Sequence, residues 1–207
     1  MFITTLLSLA LANPIPENKL SELDLGEKET PDYIINGEDA TVNDFPMTGG
    51  MLLRGEIFGY QMETFICSST LIAPDTVLLA AHCLDMDVLA FGMEIDNLEI
   101  YWTRQADLQE WDGSQQAPEL PSDAIEVVDW VIHEDFSIQT LGLGLEENSD
   151  IALMFLAEPI LDIEPAYLAT ASEAEMLAEG DHVFVVGWGQ QIATEQGEAS
   201  PTGSFAF

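Results

Sequence analysis

Basic residues are almost missing from this chain: its 207 residues hold four lysines and arginines against 38 aspartates and glutamates, a formal charge of −34. A surface of that sign repels phosphate backbones and anionic lipid, which argues against nucleic acid and membrane surfaces as partners. It also strains the fold by self-repulsion at low ionic strength. Cysteine is as scarce, with only Cys67 and Cys83. They stand 16 apart, so a bond between them would close a loop worth roughly 3 kcal/mol in the chain-entropy model, and two free buried thiols are the alternative. The apolar opening segment, Phe2–Ala12, is too short to span a bilayer. The acids of the polar stretch 105–123 (Asp107, Glu110, Asp112, Glu119, Asp123) lack the ligand spacing of a calcium loop and read as a solvated surface. No cofactor and no metal ligand set is expected.

What is present suffices for a packed core: 47% of the residues are apolar, in a length suited to one domain or two small ones. Phe2–Ala12 ends in Ala10-Leu11-Ala12, a small-x-small pattern that suits signal peptidase, although no Lys or Arg precedes it. Residues 1–12 therefore read as a signal peptide, and secretion supplies an oxidising compartment. Asn13–Tyr33, with six acids, two lysines and three prolines, has no periodicity and reads as flexible. From Met47 to Ile66, short apolar stretches split by Gly49-Gly50, Gly55 and Gly59 read as hairpins. Thr70–Ala73 and Thr76–Ala81 flank Pro74-Asp75 as strand, turn, strand. Val88–Met93, Leu98–Trp102, Ile125–Ile132 and the run into Trp188 are strand-like, Gln105–Asp123 reads as a long surface loop, and Glu173–Ala178 is compatible with helix. The fold class is all-β.

Two side chains stand out chemically. His82 ends the run Ala80-Ala81-His82-Cys83, where small neighbours allow close backbone packing. A histidine held rigidly at the end of a buried strand suits a general base, because proton transfer demands fixed geometry first. A satisfied core histidine is the plainer alternative. Asp150 precedes six apolar residues, Ile151–Leu156, which places a carboxylate at the mouth of a buried strand. A histidine N–H is a suitable partner for it. His133, beside Glu134 and Asp135, reads as a surface turn, since adjacent strand residues point to opposite faces. His182 stands at the polar start of its strand and is given no role.

The segment T-x-x-x-A-A-H-C with a cysteine upstream, and Asn148-Ser149-Asp150-Ile151-Ala152-Leu153, resemble the histidine and aspartate segments of the trypsin/chymotrypsin-like serine proteases. Ile34-Ile35-Asn36-Gly37 with Phe45-Pro46, and Gly187-Trp188-Gly189, resemble that family's mature N-terminus and an early segment of its second barrel. The resemblance implies a double β-barrel, the first barrel nearly complete over residues 34–164 and the second only begun over 165–207. It implies His82 as general base, Asp150 as its orienting partner, a Cys67–Cys83 disulfide, and peptide or protein substrates. It also implies a zymogen with propeptide 13–33 and Ile34 as the activated N-terminus. Position 33 is Tyr, where the family often has Arg or Lys.

The resemblance is collinear from Ile34 to Gly189. The family's nucleophile segment, G-D-S-G-G, does not occur in the sequence, and the chain order His, Asp, Ser places it beyond Gly-Trp-Gly. The oxyanion-hole N–H groups, the specificity pocket and the acid that would receive the Ile34 ammonium belong to the same missing part. Ser200 and Ser204 are the only serines after Gly189, and Ser204 lies in T-G-S-F-A-F, without the acid or second glycine of that segment. The expectation is a secreted serine endopeptidase by family, truncated before its nucleophile and inactive alone. It would be completed by further sequence or by a complementing C-terminal chain. A non-catalytic pseudoprotease, or a binding protein whose acidic surface engages a cationic partner, is the rival.

Overall fold

A computed structural model describes residues 40–85, 94–108, 110–111, 119–137 and 149–189. The expected strand at Val88–Met93, the signal peptide, the propeptide, Ile34, Ser200 and Ser204 lie outside the described residues. Among the described residues there are six strands: β1 (Thr48–Ile57), β2 (Tyr60–Ala73), β3 (Thr76–Leu79), β4 (Asp96–Thr103), β5 (Ile125–Ile132) and β6 (Ala152–Leu156). They close into one antiparallel barrel in the order β1-β2-β3-β6-β5-β4, with β4 returning to β1. Among the described residues no helix is long and apolar enough to cross a membrane.

The local chemistry accounts for this path. Phe58 and Gly59, both at positive φ (54° and 78°), form the two-residue turn between β1 and β2, the handedness that matches strand twist. Pro74-Asp75 turns the chain from β2 into β3, as its composition predicts. Strand period 2 then sends Val77 and Leu79 of β3, and Ala152, Met154 and Leu156 of β6, into the core. There they join Met51, Leu52, Leu71, Ile100 and Trp102. Gly49 is required by packing: a Cβ there would overlap the Trp102 indole. That indole donates to Ser69 Oγ (3.0 Å), and Ser69 donates on to the Gly49 carbonyl (3.0 Å). The network satisfies the polar atoms of a buried wall.

Several expectations change. Residues 60–73 form one continuous strand, in place of several short stretches, because β1 pairs along it from Thr48↔Thr70 to Ile57↔Tyr60 through a single bulge. The stretch 105–123 is more than a surface loop: Leu108 and Trp111 are buried, and the Trp111 carbonyl accepts from Phe65 N–H at 2.7 Å. Asp181–Val186 forms no strand; only Gly187 takes a bridge. Extended backbone becomes a strand only when a neighbour accepts its ladder, and no described strand flanks this one.

After β6 the chain wraps beneath the β2–β3 turn, burying Ile160, Ile163 and Ala166. It then forms a short helix, α1 (Ala171–Ala174), which begins earlier than expected because Thr170 and Glu173 make a capping box. Trp188 returns to the barrel wall, fully buried, its indole N–H shared between the Gln105 and Ala106 carbonyls at 3.1 Å each.

Candidate active site

The site follows from strand direction. β3 and β6 are antiparallel, and their register ends at Leu79↔Ala152. The chain leaving β3 and the chain entering β6 therefore emerge side by side. His82 comes three residues after Leu79 and Asp150 two before Ala152, so residues 68 apart in sequence meet at one end of the barrel. β3 stops before Ala80-Ala81, and His82 rides on a 3₁₀ turn, Ala81–Cys83. The strand expected to end in the histidine is thus two residues shorter. The turn is pinned by Cys83 N–H to the Ala80 carbonyl (3.2 Å) and Leu84 N–H to the Ala81 carbonyl (3.0 Å). On the other side, His133 N–H donates to the Ile151 carbonyl (3.0 Å), fixing the approach to β6.

Asp150 engages His82 twice. The His82 backbone N–H donates to Oδ1 at 2.9 Å, and Nδ1 lies 2.8 Å from Oδ2. A carboxylate only accepts, so Nδ1 carries the hydrogen of that second bond. Nε2 is left with its lone pair. The Asp150 side chain is 3% exposed and that of His82 14%. Cys67 and Cys83 are joined as a disulfide, with Cα atoms 6.2 Å apart, and Cys83 Sγ stands 3.6 Å from His82 Nε2. Cys67, His82 and Cys83 are the one group of possible metal ligands among the described residues; with the sulfurs bonded to each other, no thiolate is available there.

The structure therefore brings His82, Asp150, Cys67 and Cys83 together. It leaves His133 exposed on its turn, accepting from Asp135 N–H at 3.2 Å, and leaves His182 exposed. Sequence reasoning missed the support behind the cysteine. Ser68 Oγ accepts from Trp188 N–H at 3.0 Å, and Gly187 lies so close that a Cβ there would meet the Ser68 hydroxyl. The Gly187-Trp188 pair was the available signal, since a glycine beside a large indole marks close backbone approach.

A buried carboxylate holding a half-buried imidazole by Nδ1, beside a disulfide at the mouth of a six-stranded barrel, fits a known pattern. The trypsin family model matches residues 34–202. The chain belongs to the trypsin family. That match runs past Gly189. Similar curated proteins include the vitellin-degrading protease of Bombyx mori, 26% identical over 82% of this chain and 52% of that protein. Chymotrypsin-C of Mus musculus is 28% identical over 76% of this chain and 50% of its own length. Phenoloxidase-activating factor 1 of Holotrichia diomphalia is 27% identical over 93% and 50%. This trypsin-family chain thus spans about half the length of these relatives.

Proposed function

We propose that the chain carries the general base and orienting carboxylate of a secreted serine endopeptidase acting on peptide or protein substrates. The paired hydrogen bonds between His82 and Asp150 carry this reading. His82 Nε2 would take the proton of a serine hydroxyl, and Asp150 would hold the tautomer and stabilise the imidazolium. The disulfide and the N-terminal segment support export, with residues 1–12 as signal peptide, 13–33 as propeptide and Ile34 as the activated N-terminus. Residues 34–164 would be the first barrel and 165–207 the start of the second.

The serine and oxyanion hole would come from a second-barrel segment bearing G-D-S-G-G, a motif that does not occur in these 207 residues, in the same chain or in a complementing C-terminal chain. Without both, the 207 residues alone turn over no peptide substrate, since loss of a triad member leaves only residual catalysis and the oxyanion hole supplies much of that remainder. The test is labelling by a fluorophosphonate. The 207-residue chain should stay unlabelled. The chain supplemented with a trypsin-family second barrel bearing G-D-S-G-G should label, and His82→Ala should abolish labelling. Labelling of the chain alone that depends on His82 would overturn the inactivity. A folded, supplemented complex that fails to label would favour the pseudoprotease or binding protein.

A further inference from the structure

We propose that reducing the Cys67–Cys83 disulfide converts this centre into a site for one thiophilic divalent cation such as Zn²⁺, held by two thiolates and His82 Nε2. The sulfurs and an imidazole nitrogen lie within 4.8 Å of one another. Two cysteines, a histidine and a solvent molecule are a recognised open zinc set. The second observation is independent of that spacing: Asp150 Oδ2 already accepts from Nδ1 at 2.8 Å. A carboxylate behind the far nitrogen of a ligating histidine fixes its tautomer and raises its basicity, which metal sites regularly exploit. It leaves the Nε2 lone pair beside Cys83 Sγ, at 3.6 Å. Charge also balances, since two thiolates neutralise a divalent cation in a place where Cys83 is 2% exposed. His82, at 14% exposed, keeps the site in touch with solvent, the source of the fourth ligand.

The chemistry closes with a dithiol reductant. Its sulfurs form their own S–S bond while the protein's S–S bond breaks, passing two electrons and two protons to Cys67 and Cys83. The cation then displaces those two protons. A small-molecule disulfide reverses the sequence: its own S–S bond is reduced, taking two electrons and two solvent protons, as the Cys67–Cys83 bond re-forms and the metal is released. The consequence for catalysis rests on the proposed role of His82: the nitrogen that would act as base is the one that binds metal, so the reduced, loaded chain is held off until its disulfide forms. Metal binding itself does not depend on that role.

The experiment reduces the full chain with a dithiol, removes the reductant anaerobically and titrates with Co²⁺. Thiolate-to-cobalt charge-transfer absorption is the readout, and emission from buried Trp102 and Trp188 follows the fold. One Co²⁺ per chain should bind with that absorption and be displaced by Zn²⁺. Asp150→Asn should weaken binding by about 10–100-fold, as loss of such an outer carboxylate does, and His82→Ala by at least about 10-fold. The oxidised chain should give no such band and Cys83→Ser a weaker one of lower affinity, whereas the 38 acidic side chains bind cobalt without it. Absence of the band in the reduced chain overturns the proposal. So does a band whose affinity is the same in His82→Ala and Asp150→Asn, because an unfolded dithiol would behave that way. Neither result bears on fluorophosphonate labelling.

Discussion

Arg54 is one of four basic residues in the sequence, and its placement shows what a single side chain does here. It stands opposite Glu63 in the β1–β2 register, with Nε 2.7 Å from Oε1 and the guanidinium 5.1 Å above the Trp111 ring. Glu63 is buried, and a buried carboxylate without its cation is costly. Arg54→Ala should therefore destabilise the chain by about 3 kcal/mol, within the range for breaking a buried pair. The double variant Arg54→Met with Glu63→Leu should recover most of that loss. Urea denaturation measures both, and a double variant no more stable than Arg54→Ala alone would contradict the account. The sequence hid this pair, because cross-strand register and the inward fold of Trp111 decide it. His82 and Asp150 were legible because the segments that hold them, each beside an apolar run, resemble those of the trypsin family. What the sequence withheld was the 3₁₀ turn under His82 and the Trp188 bond to Ser68, which need the closed barrel.

At the scale of elements, the β1–β2 turn and the cap of α1 carry opposite lessons. The turn was legible from its glycine, yet its first residue is Phe58, 80% exposed at φ 54°. A bulky side chain in the left-handed region costs about 1–2 kcal/mol, and asparagine tolerates it far better. Phe58→Asn should stabilise the chain by about 1 kcal/mol, seen as a higher urea midpoint with an unchanged slope. Helix α1 was expected slightly later in the chain, because the decisive bonds come from side chains before it. The Thr170 backbone N–H (2.8 Å), the Thr170 hydroxyl (2.7 Å) and the Tyr167 hydroxyl (3.0 Å) all donate to Glu173 Oε2. These bonds, the backbone one foremost, hold the Glu173 carboxyl below its ordinary 4.5. The same contact with Glu173 raises Tyr167 above its ordinary 10.0. A depressed carboxyl contributes stability above its unfolded pKa and loses it as pH falls through the folded one. A raised phenol contributes below its unfolded pKa and loses it as pH rises through the folded one. Amide exchange at Glu173 and Ala174, corrected for intrinsic rates, should thus be slowest between these limits and quicken on both sides. Glu173→Gln should remove the acid-side change.

For the whole molecule, closure and charge pull against each other. The barrel leaves no free edge among its six strands, and part of its apolar core was legible from the apolar runs that became the end of β2, β3 and β6. The missing ladder at Asp181–Val186 was not, because a strand pattern cannot say whether a partner strand lies alongside. Around that core sits a formal charge of −34. Of the two basic residues in the described portion, Arg54 turns to Glu63. Repulsion among the remaining acids therefore acts across the surface, over a screening length of about 30 Å at 0.01 M salt and about 3 Å at 1 M. Unfolding separates those charges, so low salt favours the unfolded chain. The melting temperature should climb steadily from 0.01 M to 1 M sodium chloride, by about 2–4 °C for each kcal/mol of repulsion relieved. Sodium chloride is the right salt, since sulfate also strengthens apolar burial. Replacing exposed acids such as Glu126, Asp129, Glu158 and Asp162 with their amides should flatten the dependence while leaving the high-salt melting temperature nearly unchanged. A slope that survives those substitutions would place the salt effect in the core instead of the surface.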